Sequence, residues 1–324
     1  MNMTDVIKRY EPDLKLLEES LGKYLHSEIP FIPTVINHLI TSGGKRFRPL
    51  MLLASADLCG YRGERRYPLS AVIEFIHTAT LLHDDVIDGA ETRRGKPSAN
   101  NVWGNAATVL VGDFLYSRSF TLMTHDGDLN IIKLISETTN TMAEGEVFQL
   151  LKRGDVAITE EDYFTLIEKK TAVLIAAACA VGALMAGAPP DRVEALRQFG
   201  YRMGQSFQLT DDTLDYVAAE KEFGKAVGMD IKEGKITLPL IRTLAQCPAE
   251  EKEVIRGIVE RKQATDQDIR TVFGLIGKYD GIQYSLDRAR KIIAEGKALL
   301  VPFENGEAKS SLLAMADFIA ERTL

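Results

Sequence analysis

The sequence predicts an all-α protein built as one large helical bundle. Strand signals are nearly absent, because no series of alternating apolar and polar segments is separated by Asn-Gly or Asp-Gly turns. Apolar residues instead recur at helical spacing, as in the segment from Val72 through Ile76 to Thr80. Glycine and proline breaks divide the chain into segments of helical length, and no break has the composition of a linker. A single domain over residues 1–324 is therefore expected.

Composition and charge exclude several classes of protein. Hydrophobic residues make up 45% and charged residues 26%, which is ordinary for a globular chain and argues against disorder. The net charge of −7 argues against a nucleic-acid partner, which would favour a basic surface. An anionic substrate remains compatible with this charge, provided that bound cations or local basic residues meet it.

Three features predict a cytoplasmic protein. Cys59, Cys179 and Cys247 are far apart and form no CxxC pair, which is typical of a reducing compartment. The first twenty residues carry charges throughout, so no secretory signal is predicted. The uncharged run from Ala172 to Pro190 is rich in alanine and glycine and ends in a proline pair, so it predicts a buried helix. A membrane span is the alternative interpretation of this run.

Two clusters of aspartates share one spacing. They consist of Asp84, Asp85 and Asp88, and of Asp211, Asp212 and Asp215. Positions i and i+4 project from one face of a helix, where like charges are destabilising unless cations neutralise them. One cluster alone is equally typical of a solvated helix end, but two clusters that each follow an apolar run favour a cation site. Oxygen ligands without histidine or cysteine select hard cations, so we expect Mg²⁺ and a phosphorylated substrate, held by two helices that face one cavity.

Basic residues flank both clusters. They occur in GGKRFRP over 43–49, in ETRRGKP over 91–97, and at Lys169, Lys170, Lys225 and Lys235. Arginine binds phosphate oxygens in bidentate fashion, and lysine supplies a point charge. A single basic triplet is usually a solvated surface, but the flanking of both clusters favours diphosphate binding. No GxxxxGK[ST] or GxGxxG motif is present, so a nucleotide site is not predicted.

Six motifs resemble those of the trans-isoprenyl diphosphate synthases. In chain order they are GGKRFRP, LLHDDVIDGAETRRGKPS, GDFLYSR, the Lys170-Thr171 pair, FQLTDDTLD and GKAVGMDIKEGKITLP. Within that family the chain is most similar to the long-chain octaprenyl, heptaprenyl and solanesyl diphosphate synthases. The resemblance implies a bundle of the isoprenoid synthase type with a deep central cavity, a homodimer, and about three Mg²⁺ ions bound with substrate.

The resemblance also implies a role for each matched residue. The catalytic group consists of Asp84, Asp85, Asp88, Lys170, Asp211 and Asp212. The metal-binding residues are Asp84, Asp88, Asp211 and Asp215, of which the first three are the direct ligands and Asp215 supports them. The positions that hold isopentenyl diphosphate are Lys45, Arg48, His77 and Arg94. The positions that hold the allylic diphosphate are Arg93, Lys170, Thr171, Gln208, Lys225 and Lys235. Without the resemblance, a lone histidine such as His77 on an apolar helix is more often a core residue.

The implied reaction is a trans, head-to-tail (1'-4) condensation of isopentenyl diphosphate onto an allylic diphosphate primer. Cations stabilise the diphosphate as it leaves, which ionises the allylic C–O bond. The double bond of isopentenyl diphosphate then attacks the carbocation, and the departed diphosphate takes up the proton that is lost. No serine or cysteine nucleophile is required. Contact with a membrane is expected only transiently, through the product.

Product length is expected to depend on the helix that precedes the first aspartate cluster. In the family, a bulky aromatic residue five positions before the first aspartate stops elongation early. Here that position is Ala79, which is followed by Thr80, and Ile76 lies deeper. Phe120 and Met123 are candidates for the floor of the tunnel. The expected product is longer than about C15, roughly C30–C45, such as a quinone side chain, and the alternative is a shorter geranylgeranyl product.

Two other classes share part of this pattern. A class I terpene cyclase also ionises diphosphates with an aspartate-rich helix, but it needs no second diphosphate site and usually has a second metal motif of Asn/Ser/Glu type. A non-catalytic partner subunit should have lost one or both clusters, and this chain keeps both. Consumption of isopentenyl diphosphate distinguishes the synthase from the cyclase.

Overall fold

The computed structural model describes residues 1–40, 46–93, 95–221, 229–261 and 264–321. Within these ranges the chain is almost entirely helical, as the sequence predicts. The exception is a short hairpin in which β1 (Thr92–Arg93) pairs antiparallel with β2 (Lys96–Pro97). Three predicted site residues, Lys45, Arg94 and Lys225, lie outside the described residues.

The helices follow one another with short connections. In the first half of the chain they are α1 (Met3–Arg9), α2 (Glu11–Tyr24), α3 (Phe31–Ile40), α4 (Phe47–Leu58), α5 (Arg66–Ile87), α6 (Ala99–Trp103), α7 (Asn105–Asp126) and α8 (Leu129–Lys152). After α9 (Glu160–Ile167) comes a π-helical turn (Glu168–Ala172) that leads into α10 (Val173–Met185). The remaining helices are α11 (Pro190–Lys221), α12 (Met229–Lys232), α13 (Leu238–Gln246), α14 (Ala249–Val259), α15 (Asp266–Lys278), α16 (Gly281–Ala298) and α17 (Glu307–Glu321).

The chain forms two compact units. The first consists of Met1–Thr139, Leu174–Arg197 and Pro302–Ala314, and the second of Asn140–Val173, Gln198–Val301 and Met315–Leu324. The first aspartate cluster belongs to the first unit, and the second cluster belongs to the second unit. The single domain expected over residues 1–324 and its central cavity stay predictions.

In the first unit, α5 lies against α2, α4 and α7. Its apolar segment is buried continuously from Ala71 to Ile76, and this segment includes the carboxylate residue Glu74. The helix ends at the first aspartate cluster, where the backbone N–H of Asp88 donates to the carbonyl of Asp84 at 2.8 Å. Gly89 then adopts a left-handed conformation (φ 62°), which suits glycine and turns the chain toward β1. The burial of α5 therefore fixes the position of the first aspartate cluster at its C-terminal end.

The uncharged run that raised the question of a membrane span forms α10, and its residues after Val173 are buried except Leu184. Gly182 lies so close to α4 that a Cβ at this position would be 2.6 Å from the carbonyl oxygen of Leu52. Small residues allow this close approach, which confirms the prediction of a buried helix. None of the helices in the described ranges combines the length and apolar content that crossing a bilayer requires.

The second unit has its own apolar interior. Side chains from α9, α11 and α13–α16 form one buried cluster there. A capping box begins α9, in which the Thr159 hydroxyl accepts the N–H of Asp162 and the Asp162 carboxylate accepts the N–H of Thr159, both at 3.1 Å. This cap fixes the register that places Tyr163 in the interior, with 1% of its surface exposed.

Candidate active site

The first aspartate cluster divides between a buried residue and two partly exposed ones. Asp84 and Asp88 are partly exposed, whereas Asp85 is completely buried. Arg93 on β1 donates to Oδ1 of Asp85 from Nε at 2.8 Å and from Nη2 as well. The predicted allylic-diphosphate residue Arg93 therefore contacts the aspartate cluster directly. The hairpin positions its guanidinium.

The other oxygen of Asp85 is buried and has no hydrogen-bond partner among the described residues. Burial raises the pKa of Asp85, and repulsion by Asp84 and Asp88 adds to this effect, although Arg93 opposes it. A buried carboxylate with one unsatisfied oxygen is energetically unfavourable unless a further donor or a cation approaches. A cation bound at the first cluster would lower this cost.

Two of the predicted isopentenyl-diphosphate residues lie together. Nη1 of Arg48 on α4 is 3.1 Å from Nε2 of His77 on α5. A buried ion pair holds the start of α4 nearby, since Arg46 donates to Glu74 at 2.8 Å and to Glu18 at 2.7 Å. Sequence reasoning missed the role of Glu74, because a single glutamate in an apolar helix has no visible partner in the sequence.

Helices α5 and α7 pack closely beside the first cluster. A Cβ at Gly112 would lie 2.2 Å from Nε2 of His83, so only glycine fits there without a shift. The same nitrogen of His83 is 3.2 Å from the carbonyl oxygen of Val109. Contacts with α7, including Gly112 of the GDFLYSR motif, therefore fix the position of His83, the residue before Asp84.

The residues predicted to set product length occupy these same two helices. Ala79 and Ile76 on α5 are buried, and Thr80 donates to the carbonyl of His77 at 2.8 Å. On α7, Met123 is buried and Phe120 is partly buried. Their role in product length stays a prediction.

The second aspartate cluster is held by hydrogen bonds to its central residue. Tyr163 on α9 donates to Oδ2 of Asp212 at 2.7 Å, and Gln208 on the same helix as Asp212 donates to its Oδ1 at 2.7 Å. The Thr171 hydroxyl donates to Oε1 of Gln208 at 2.8 Å. The structure thus brings together three of the predicted residues, Thr171, Gln208 and Asp212, and adds Tyr163, which sequence reasoning missed.

The π-helical turn carries Lys170 and Thr171. Lys170 donates to Glu146 at 2.7 Å and to Oε1 of Gln149 at 2.8 Å, both on α8. A π-helical turn inside a helical run frequently occurs at a functional site, because it re-aims side chains relative to the flanking turns. Here the turn points Lys170 toward α8 and Thr171 toward Gln208 on α11.

Further carboxylates lie beside the second cluster. Burial raises the pKa of both Asp212 and Asp230, and repulsion among the neighbouring aspartates adds to the shift of Asp230. Burial also raises the pKa of Asp215, whose Oδ2 is buried without a hydrogen-bond partner among the described residues. Lys235 lies near this group and pairs with Glu233 at 2.6 Å. Asp230 was not predicted, although it stands in the GMDIKEGK segment of the last motif.

The two clusters fit Mg²⁺ by the chemistry of their donors. Both consist of carboxylate oxygens, and each contains one buried oxygen without a partner in the described chain. In the described ranges, no three carboxylate, imidazole or thiol groups already form a complete ligand set. Mg²⁺ characteristically binds through one or two carboxylates together with waters and substrate phosphates.

Comparison with known proteins decides the family. The family profile described as polyprenyl synthetase matches residues 29–276. The chain belongs to the polyprenyl synthetase family. Its curated relatives include the octaprenyl diphosphate synthase of Escherichia coli (strain K12), which is 36% identical over 322 residues and is matched over 99% of each chain. This polyprenyl synthetase is therefore a prenyltransferase enzyme of the trans-prenyl diphosphate synthase family.

Solved structures confirm the all-α isoprenoid synthase fold. The decaprenyl diphosphate synthase of Rhodobacter capsulatus superposes with a TM-score of 0.96 at 37% identity, with 99% of each chain covered. A polyprenyl synthase from Caulobacter crescentus CB15, complexed with calcium and isoprenyl diphosphate, gives 0.94 at 38% identity over 100% of this chain and 98% of that one. A geranylgeranyl diphosphate synthase from Saccharolobus solfataricus is 34% identical over 88% of each chain, so family membership leaves product length undecided.

Proposed function

We propose that this polyprenyl synthetase condenses isopentenyl diphosphate onto an allylic diphosphate primer and releases a long-chain polyprenyl diphosphate. The observation that carries the proposal is the hydrogen-bonded group around Asp212. Thr171 and Gln208, which match the allylic-diphosphate positions, are connected to an aspartate of the second cluster by bonds of 2.8 and 2.7 Å. Binding groups for the leaving diphosphate and carboxylates for its cations therefore belong to one ordered set.

The allylic diphosphate is held by Lys170, Thr171 and Gln208, with Arg93, Lys225 and Lys235. Before substrate binds, Lys170 is kept in place by Glu146 and Gln149. Charge-assisted hydrogen bonds from such groups favour the diphosphate most strongly when its charge increases, as the allylic C–O bond breaks. Their contribution is therefore to the barrier as well as to binding.

Isopentenyl diphosphate is held by Arg48 and His77, together with Lys45 and Arg94. The contact of 3.1 Å between Arg48 and His77 places a cation and an imidazole on adjacent helices of the first unit. Fixing the second substrate converts its attack on the carbocation into an effectively unimolecular step. No side-chain nucleophile takes part.

The residues that hold Mg²⁺ in this proposal are Asp84, Asp88, Asp211 and Asp215, and we infer about three ions. When bound, Mg²⁺ supplies positive charge that stabilises the leaving diphosphate. Asp85 and Asp212 support the ligands from within, because donors of the chain hold them.

The product that we propose is about C30–C45, octaprenyl-like, and suited to a quinone side chain, because position 79 carries a small alanine and not a bulky aromatic residue. The similarity to octaprenyl and decaprenyl diphosphate synthases supports a long chain. A geranylgeranyl product is the alternative, favoured by the similarity to a geranylgeranyl diphosphate synthase.

The test is incubation of the purified protein with Mg²⁺, isotope-labelled isopentenyl diphosphate and C10, C15 or C20 primers, followed by mass spectrometry. We expect incorporation of label into a ladder that ends at a long chain. Absence of isopentenyl diphosphate consumption with every primer would contradict the function. A product that stops at C20 would contradict only the proposed length.

We also propose that the protein acts in the cytoplasm as a homodimer. In the first unit, α7 buries Val111 and Leu115 but exposes Val109 and Leu110, the latter with 67% of its surface accessible. A helix that is apolar on both sides is typical of an element covered by a partner. Light scattering should give twice the chain mass, and Leu110→Arg should reduce it toward the monomer.

A further inference from the structure

We propose that Tyr163 is a positioning residue, whose hydroxyl holds the Asp212 carboxylate in the orientation that organises binding of the allylic diphosphate and its Mg²⁺. The inference rests on the proposed function and deepens it. Neither the motifs nor the roles that they imply include this tyrosine. Its position in the structure assigns a role to this tyrosine.

Both oxygens of Asp212 are used by donors of the chain. Tyr163 donates to Oδ2 and Gln208 to Oδ1, each at 2.7 Å. Two opposed donors fix the plane of a carboxylate, whereas one donor leaves it able to rotate about its terminal torsion. Gln208 alone would therefore not determine where Asp212 points.

The hydrogen bonds around Asp212 have defined donors and acceptors. The ionised Asp212 carboxylate only accepts, so the amide of Gln208 donates to it through Nε2 and accepts from the Thr171 hydroxyl at Oε1. Rotation of the Gln208 amide would place Oε1 against the carboxylate and lose the bond to Asp212. Because Tyr163 holds Asp212 from the opposite side, it also stabilises Gln208 and the Thr171 end of the π-helical turn.

The ring of Tyr163 is held independently of its hydroxyl. It has 1% of its surface exposed and packs edge-on against Phe164 with 5.7 Å between ring centroids. It also belongs to the apolar cluster of the second unit. Removing the hydroxyl should therefore leave the ring in place and remove only its hydrogen bond to Asp212.

The chain offers two matched controls. Tyr216 is equally buried, with 1% exposed, but its hydroxyl shares a hydrogen bond of 2.8 Å with the hydroxyl of Thr237. Tyr284 donates to the carboxylate of Glu160 at 2.7 Å, on the same helix as Tyr163. The first matches burial, and the second matches a tyrosine–carboxylate bond outside the aspartate clusters.

The experiment compares Tyr163→Phe, Tyr216→Phe and Tyr284→Phe by calorimetric titration of Mg²⁺ in the presence of inorganic pyrophosphate. We expect Tyr163→Phe to weaken this binding by about tenfold, and each control by less than about twofold. In steady-state assays, Tyr163→Phe should raise the KM for the allylic primer and leave that for isopentenyl diphosphate unchanged. Equal effects in all three variants, or none in Tyr163→Phe, would overturn the proposal.

A double-mutant cycle decides whether the hydroxyl acts through Asp212. In an Asp212→Asn background, Tyr163→Phe should cause little further loss of pyrophosphate-dependent Mg²⁺ binding. Losses that add in full would show that Tyr163 acts by another route. Thermal unfolding of each variant accompanies the titrations, and a similar decrease for Tyr163→Phe and Tyr216→Phe is expected.

The proposed function and the positioning role of Tyr163 are tested separately. The calorimetric titrations contain no isopentenyl diphosphate, so they test the role of Tyr163 even if the wild-type protein does not elongate any primer. Failure of elongation would overturn the function, whereas wild-type elongation with unchanged binding in Tyr163→Phe would overturn only the positioning role.

Discussion

Gly204 on α11 and Ala172 at the end of the π-helical turn are in backbone contact. A Cβ at Gly204 would lie 2.4 Å from the Cα of Ala172, a distance that carbon atoms do not tolerate. On the other side of the turn, a Cβ at Gly145 would lie 3.0 Å from the backbone nitrogen of Lys170. The turn that carries Lys170 and Thr171 is therefore enclosed by two glycines, which set the distances from Thr171 to Gln208 and from Lys170 to α8.

We expect Gly204→Ala to displace the turn, because the obstacle is backbone and not the end of a flexible side chain. Overpacking of this kind destabilises a protein by about 1–3 kcal/mol. The KM for the allylic primer should increase more than that for isopentenyl diphosphate. Steady-state kinetics and urea unfolding measure both effects.

The control is Gly257→Ala on α14, where nothing lies within 4 Å of the added Cβ. Alanine is favoured over glycine in a helix, so this variant should be more stable by roughly 0.5–1 kcal/mol. Normal primer affinity in Gly204→Ala would show that the close contact does not position the turn.

The ion pair between Arg46 and Glu74 should contribute to stability far more than the pair between Arg46 and Glu18. Glu74 is buried, whereas Glu18 is half exposed. Without Glu74, the mostly buried Arg46 keeps only the half-exposed Glu18 as its acidic partner, so Glu74→Ala should destabilise by about 1–3 kcal/mol. Glu18→Ala should change the free energy of unfolding by less than about 1 kcal/mol. Urea unfolding of both variants measures the difference, and equal losses would contradict this explanation.

Asp84→Ala should reduce kcat by roughly 10³-fold or more, because a lost metal ligand removes several kcal/mol of stabilisation from the departing diphosphate. The exposed residue Asp191, at the start of α11, provides the control Asp191→Ala, which should have near-normal turnover. Single-turnover assays with excess enzyme measure the chemical step. Near-normal turnover in Asp84→Ala would reject the assigned role.

Binding of Mg²⁺ should depend on the presence of a diphosphate. Two clusters of three aspartates carry about −6, a diphosphate adds about −3, and three Mg²⁺ with nearby basic residues return about +9, so charge is balanced only in the complete assembly. Calorimetry should therefore detect weak Mg²⁺ binding to the protein alone and tight binding with inorganic pyrophosphate. Tight stoichiometric binding in the absence of diphosphate would contradict this prediction.

Increasing side-chain size at position 79 should shorten the product. Ala79 is completely buried on α5, so Ala79→Val, Ala79→Phe and Ala79→Tyr add volume progressively at one point. Mass spectrometry of the products should show a stepwise decrease in maximum length. Circular dichroism confirms folding of each variant, since overpacking destabilises as well. An unchanged product in Ala79→Tyr would reject the role of this residue.

The sequence by itself determined the helical class of the protein, and its motifs proposed the residues of the site. Helical periodicity predicted α5 and its apolar face, and the spacing of Asp84 and Asp88 predicted that both project from one side. The small residues of 172–190 predicted the buried helix α10, which the structure confirms. The inferences about α5 and α10 succeed because they depend on patterns within one helix, whereas the shared face of Asp84 and Asp88 stays a prediction.

Other features depend on contacts between helices that are distant in sequence, so only the tertiary structure decided them. The hydroxyl of Tyr163 meets Asp212 across 49 positions of the chain, and Arg46 meets Glu74 across 28. No local pattern marks either partner, because burial and pairing are set by the packing of whole elements. The sequence determined which chemical groups the protein carries, and the packing of its helices decided which of them are held by the chain itself.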